Sequence, residues 1–248
     1  MKHMVTTWSR PALAAIAVLA VSACSSSTMP SAPSRAAVPA AATPAPAADP
    51  IAPAATARYR VTFTSTWSAA THPDDFPASA HFSPLVGGTH AAQVVFWREG
   101  APASDGIKDM AERGQTSTLS TEITAAIAAG TAEHVFTGGA VAVSPGAATA
   151  EFDISQRFPL VTLVTMVAPS PDWFVGVSAQ PLVENGQWVA ERRIELVAWD
   201  AGTDSGITFT SPDLVTAPRI PIARIVTAPL SPSGRVTPMG TFVFTRLP

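Results

Sequence analysis

From residue 58 onward the chain alternates apolar and polar side chains with the short period of β-structure. Tyr59, Val61 and Phe63 interleave with Arg60, Thr62 and Thr64, so every second side chain points to one face. The same reading predicts strands over residues 92–98, 152–155, 160–168, 173–179, 192–199, 220–228 and 241–247. Turn formers separate them, as in Pro169-Ser170-Pro171-Asp172 and Glu184-Asn185-Gly186. Two segments switch to helical spacing. Ser104 caps a first, with Ile107, Met110 and Ala111 on one face and Gly114 as its stop. Ser120 caps a second that runs through Ile127 and stops at Gly130. Many strands and few helices predict an all-β domain built as an antiparallel β-sandwich.

The first 57 residues break this pattern. Lys2 and Arg10 precede an apolar stretch over residues 12–21, which is shorter than the ~20 residues a bilayer span requires. It leads through Val21-Ser22-Ala23 into Cys24, the only cysteine of the chain. Small residues before a lone cysteine predict a lipoprotein signal peptide over residues 1–23 and a lipid-modified Cys24, with Val21 standing where Leu is usual. An acylated Cys24 leaves no thiol for a disulfide, so the domain must be held by its core or by a metal. Ser25 follows Cys24 in place of the Asp that retains lipoproteins at an inner membrane, which predicts an outer-membrane location in a two-membrane envelope. Residues 24–57 reduce almost entirely to Ala, Pro, Ser and Thr, the composition of an extended tether. Residues 58–248 then form a single domain. Its partners are the membrane, through the N-terminal lipid, and an extracellular protein or glycan. With a net charge of -3 and no basic patch, nucleic acid is not among them.

Candidate chemistry concentrates in two loops. One carries Asp172 in the Pro169–Trp173 turn, and the other carries Asp200 and Asp204 in Trp199-Asp200-Ala201-Gly202-Thr203-Asp204-Ser205-Gly206. Strand-end loops of a sandwich can converge, and three carboxylates brought together repel unless a cation or protons intervene. A hard cation that takes oxygen ligands suits them, and calcium is the natural choice. The same spacing also suits turn aspartates bonded to nearby backbone amides. Asp204-Ser205-Gly206 matches the triplet of aspartic peptidases, but it lacks a second copy and is preceded by Ala-Gly-Thr. His72, His81 and His90 show no metal-ligand pair spacing, and Pro73, Pro77 and Pro84 place them in a rigid surface loop bonded to backbone. Trp67, Trp97, Trp173, Trp188 and Trp199 read as core or rim. No nucleophile elbow or phosphate-binding glycine loop occurs, so a non-enzymatic role is expected.

Taken in order, the motifs resemble the spondin domain, the N-terminal module of F-spondin and mindin. They are Trp67-Ser68, His72-Pro73, Phe76-Pro77, the run from His81 through Gly87 with His90, Ala103-Ser104, Gly106-Ile107 and Met110-Ala111-Glu112. The similarity is strongest from Met166 through Val177 and closes with Trp199 through Gly206, Pro221-Ile222 and Gly240-Thr241-Phe242. The resemblance implies a sandwich of about eight strands, a variant of calcium-binding sandwiches. It further implies a calcium ion held by Asp172, Asp200 and Asp204, and a role in adhesion. The cysteines of many animal members are missing here.

Overall fold

The alternation at Tyr59, Val61 and Phe63 becomes the central strand of a sheet. A computed structural model of the chain describes residues 55–231 and 234–248. The signal peptide, Cys24 and nearly all of the tether lie outside the described residues. In chain order the elements are β1 (Thr56–Ser65), β2 (His81–Phe82), β3 (Val86–His90), α1 (Asp105–Arg113), α2 (Ser117–Ala128), β4 (Ala132–Thr137) and β5 (Gly146–Ser155). There follow β6 (Leu160–Ala168), β7 (Trp173–Pro181), β8 (Val183–Glu184), β9 (Gln187–Trp188), β10 (Glu191–Leu196), β11 (Trp199–Asp200), β12 (Ala223–Arg224) and β13 (Gly240–Arg246).

One antiparallel sheet has the order β10-β13-β1-β5, and a second has the order β12-β11-β7-β6-β3-β4, with β2 added against β6. Between them lies the larger core. Tyr59, Val61 and Phe63 of β1 meet Phe242 and Phe244 of β13, and across the interface Leu163, Val167, Val175 and Val177 of β6 and β7. Phe63 packs edge-on against both Phe82 and Phe242. The second sheet is covered on its other face by the helices. Val164, Met166 and Phe174 contact a cluster built from Ile107, Met110, Leu119 and Ile123. β6 is therefore buried on both sides, which is why its sequence, LVTLVTMVA, is apolar almost throughout and does not alternate. The all-β antiparallel sandwich expected from the sequence is the fold observed.

Local chemistry fixes the helices. Ser104 accepts the amide of Ile107 at 3.2 Å as the N-cap, and Gly114 ends α1 in the left-handed conformation, as its sequence predicts. Helix α2 starts three residues before the predicted Ser120, and Thr116 at its N-cap makes no side-chain capping bond. Its Glu122 instead reaches α1, where it accepts from the Ser104 hydroxyl and the Gly106 amide, both at 2.7 Å. Gly106 permits that contact, since a Cβ there would stand 2.6 Å from the Leu119 Cα.

Several strand predictions need correction. Residues 92–98 form no strand: Phe96 packs on His90 and Trp97 on Phe174 and Trp199, so consecutive side chains turn inward and the backbone finds no sheet partner. Of residues 220–228 only Ala223 and Arg224 form a strand, β12, and Pro221, which has no N–H to offer a ladder, makes no more than an isolated bridge with Pro102. The predicted strand at 192–199 divides between the two sheets as β10 and β11. The unpredicted β3, VGGTH, has no alternation to betray it. His72 and His90 are fully buried, not part of a surface loop. His90 lies in β3 between the Ala91 carbonyl and the Thr162 hydroxyl, while His81 bonds the Ser79 carbonyl as expected for a backbone-bonded histidine.

The core contact that ties both sheets together gives a direct test. Phe63→Ala removes a fully buried ring and is expected to cost about 3–5 kcal/mol in urea unfolding, where a loss under about 1 kcal/mol would contradict the packing described.

Candidate metal site

The aspartate loops gather at one pole of the sandwich. β1 begins beside Ser155 of β5, and the Tyr59 hydroxyl donates to the Val189 carbonyl, beyond the far end of β7. At the other end of β1, Trp67 packs on Phe209, which packs on Trp173 at the start of β7. Asp172 immediately precedes Trp173, so the aspartates occupy the pole opposite the one where the chain enters the sandwich.

The turn from β6 to β7 is closed by Ser170. Its hydroxyl donates to the Val167 carbonyl at 2.6 Å and accepts the Trp173 amide at 3.1 Å. This turns the Asp172 side chain inward, where it is fully buried. Its Oδ2 accepts three hydrogen bonds from the second loop: the Thr203 amide at 2.7 Å, the Thr203 hydroxyl at 3.2 Å and the Asp204 amide at 3.0 Å. Its Oδ1 is buried and has no hydrogen-bond partner. An ionised carboxylate oxygen buried in that condition is costly unless something else approaches it.

The second loop leaves β11, which pairs with β7 so that Asp200 faces Trp173 across the ladder. Asp200 Oδ1 accepts the Gly202 amide at 2.7 Å. Gly202 has φ +72°, and a Cβ there would overlap the Ile220 carbonyl oxygen, so only glycine fits. Asp204 repeats the device, with Oδ1 accepting the Gly206 amide at 2.7 Å while Oδ2 accepts the Leu214 amide at 2.9 Å. The turn-aspartate reading thus describes Asp200 and half of Asp204. It does not describe Asp172, whose partners lie in another loop. Thr203, a donor through both its amide and its hydroxyl, is the site residue that spacing alone missed.

The electrostatics run in series. Burial and then the neighbouring Asp200 charge push Asp172 up to about 7, against the pull of the Thr203 and Asp204 donors. Burial also raises Asp200, with the Gly202 amide opposing and the Asp204 charge adding to the rise. Among the described residues no lysine, arginine or histidine forms an ion pair with any of the three. Lys108 and Arg113, which line a cleft with Asp204, are engaged by Glu112 and Asp109 of their own helix. Also among the described residues, no three His, Cys, Asp or Glu side chains are grouped so as to hold a metal ion by themselves. The donor set still fits a cation in its chemistry: a buried carboxylate oxygen without a partner, in a run of coupled acids without a counter-charge. The five tryptophans named from sequence form no exposed platform, since four are buried and Trp199 is covered by the Arg224 guanidinium.

A pH dependence follows from Asp172. An aspartate that holds its proton more tightly when folded contributes stability that is full below its unfolded value near 4. That contribution is lost as the pH rises through the folded value near 7. Chelator-treated protein is expected to lose on the order of 2–4 kcal/mol between pH 4 and pH 8 from this group, with Asp200 acting in the same direction. Asp172→Asn should flatten that limb in urea unfolding at the two pH values, and an unchanged slope would refute the assignment.

Comparison with known proteins agrees with this architecture. The Spondin_N family model matches residues 57–235. Human spondin-2 is 38% identical over 197 residues, covering 78% of this chain and 58% of that protein. Rat spondin-2 is 38% identical over 195 residues, covering 77% and 58%. Mouse spondin-1 is 36% identical over 208 residues, covering 77% of this chain and 25% of that protein. The chain thus spans little more than half of spondin-2 and a quarter of spondin-1, and what is shared is the one domain. On these matches and on its fold, the chain belongs to the spondin N-terminal domain family.

Proposed function

We propose that this chain is a lipid-anchored cell-envelope protein whose spondin domain binds calcium and serves adhesion or ligand binding, without catalysing a reaction. In this reading Asp172, Asp200 and Asp204 hold the ion, and Cys24 carries the acyl anchor, in an outer membrane where the envelope has two. The observation that carries the reading is the buried, unpartnered Oδ1 of Asp172 at the head of a series of coupled carboxylates. A divalent cation would give that oxygen a partner and offset the repulsion along the series. Calcium accepts six to eight oxygen ligands at about 2.3–2.6 Å, so loop carbonyls and water can complete what three carboxylates begin. Both oxygens of Asp204 accept backbone amides, which suits an ionised ligand better than the proton-donating acid of a hydrolase. The pole that bears the aspartates faces away from the point where the chain enters the sandwich, so a tethered domain presents it to an extracellular protein or glycan.

Calcium titration during thermal melting tests the site. At 100 times Kd a bound ion contributes about 2.7 kcal/mol, which raises Tm by roughly 5–10 °C in a domain of this size. Asp200→Ala is expected to lose most of that increase. No shift in the unaltered protein, or an equal shift in the variant, would remove calcium from the reading. A shift without any calcium-dependent binding to matrix proteins or envelope glycans would reduce the ion to a structural role.

A further inference from the structure

One border of the first sheet is β10, a strand with a neighbour on one side only. Its carbonyls at Ala190 and Leu196 accept amides from the β13 side, that of Arg246 at 2.9 Å and that of Met239 at 2.8 Å. Backbone direction alternates along an antiparallel strand. The even-numbered residues of β10 therefore turn their amides and carbonyls to β13, and the odd-numbered ones turn theirs to the free border. Those are Glu191, Arg193 and Glu195, whose outward backbone groups find no partner among the described residues. A border of this kind is a template for another strand.

The side chains of the same three residues are exposed and run acid, base, acid. None of them forms an ion pair among the described residues. Their neighbours across the ladder, Thr245, Val243 and Thr241, are uncharged. The opposite border, β5, is in another condition: Arg58 and Arg60 hold its Glu151, and its Thr149 carbonyl accepts the Gly139 amide at 3.0 Å. β10 thus combines unused backbone groups with unused charges, and the charges select what pairs with it. A second β10 laid antiparallel with Arg193 opposite Arg193 also sets Glu191 against Glu195, so every facing charge meets its like. Centring the pair on Arg192 brings two Arg192 side chains together. Centring it on Ile194 sets each Arg193 opposite the Glu195 of the other copy, and the two half-buried Ile194 side chains against one another. Of these registers only the last satisfies both faces of the sheet.

We propose that β10 pairs with β10 of a second copy of this chain in the Ile194-centred register, as a homophilic contact between facing membranes. The pairing joins the two sheets into one of eight strands, four from each copy. Strand direction sets the membranes apart. Glu191 lies opposite Thr245, next to the Tyr59–Arg246 pair where the chain enters the sandwich, and Leu196 lies toward the aspartate pole. Antiparallel pairing therefore puts the entry pole of one copy beside the aspartate pole of the other. Copies anchored through Cys24 to two facing membranes meet in that orientation. Copies upright on one membrane present β10 strands that run the same way and do not. The inference rests on the anchored, adhesive part of the proposed function for its setting, and takes nothing from the calcium ion.

Two measurements test the pairing and its setting. In the full chain carrying Cys24→Ser, Ile194→Cys supplies the only thiol. The Ile194 pair is a non-hydrogen-bonded one, with Cα atoms about 4.5 Å apart, a separation that a disulfide bridges. Mild oxidation is expected to link most of this variant as a dimer, and to link a Thr64→Cys control, exposed on β1, roughly tenfold less. For the second measurement, the chain from Cys24 onward is coupled through that thiol to maleimide lipid in neutral vesicles, and light scattering follows their clustering. Clustering is expected with and without EDTA. Arg193→Glu should slow it roughly tenfold, and adding Glu195→Arg should restore it, because the two charges then exchange places across the contact. Equal linkage of the Ile194→Cys and Thr64→Cys variants, or clustering indifferent to Arg193→Glu, overturns the pairing. Linkage without clustering overturns the contact between membranes. In either case calcium-dependent binding to matrix proteins or glycans leaves the proposed function standing with another partner. Clustering that follows the charge swap while calcium leaves Tm unmoved upholds this inference and removes the ion from the proposed function.

Discussion

The buried carboxylate of Asp172 is the interaction on which this pole of the domain depends. It draws the β6–β7 turn and the loop after β11 together by accepting two amides and a hydroxyl through a single oxygen. Those bonds cross between segments roughly thirty residues apart in sequence, so they fix the two loops against each other. The second oxygen is buried and left with none, which costs free energy in the folded domain. Asp200 and Asp204 support the loop through their own short bonds to Gly202 and Gly206, which keeps three acids near one another at a cost in repulsion.

The rest of the fold makes that cost bearable. β6 and β7 form the spine of the second sheet, with the aromatic core on one face and the helical layer on the other. A strand pair buried on both faces cannot slip in register without moving apolar side chains into the wrong layer, so the turn at Asp172 is fixed from both sides. Helix α1 meets α2 at Gly106 and is fastened there by Glu122, which holds the layer that backs Phe174 and Met166. The outer end of the same sheet is different. β12 pairs over two residues only, and the chain around it runs exposed. The rigid spine and this exposed edge thus share the aspartate loop as their boundary.

Much of this was legible in the residues. β6 and β7 were predicted with correct starts because a long apolar run and a Pro-Ser-Pro-Asp turn leave few alternatives, and α1 because Ser104 and Gly114 are complementary caps. The misses share a cause: tertiary partners overrode the local pattern. Residues 92–98 carry enough apolar side chains for a strand, yet Phe96 and Trp97 pack into the helical cluster instead. VGGTH in β3 lacks any strand pattern, but Gly88 leaves the room that Ile123 of α2 occupies, a fit that no local signal reports. His72 and His90, bracketed by loop formers in sequence, end in the interior, His90 as a β3 residue held by Thr162 of β6 and packed on Phe96.

The sequence by itself determined the sandwich class, the family motifs and the three acids, since these depend on residue type, order and spacing along one chain. It left open whether the acids were turn residues or a coupled group. Only the tertiary structure decided that Asp172 is enclosed by donors from a distant loop and that its Oδ1 is left without a partner. The reason is physical. Burial, charge coupling and exposure are properties of the space between segments, and that space does not exist until both sheets have closed.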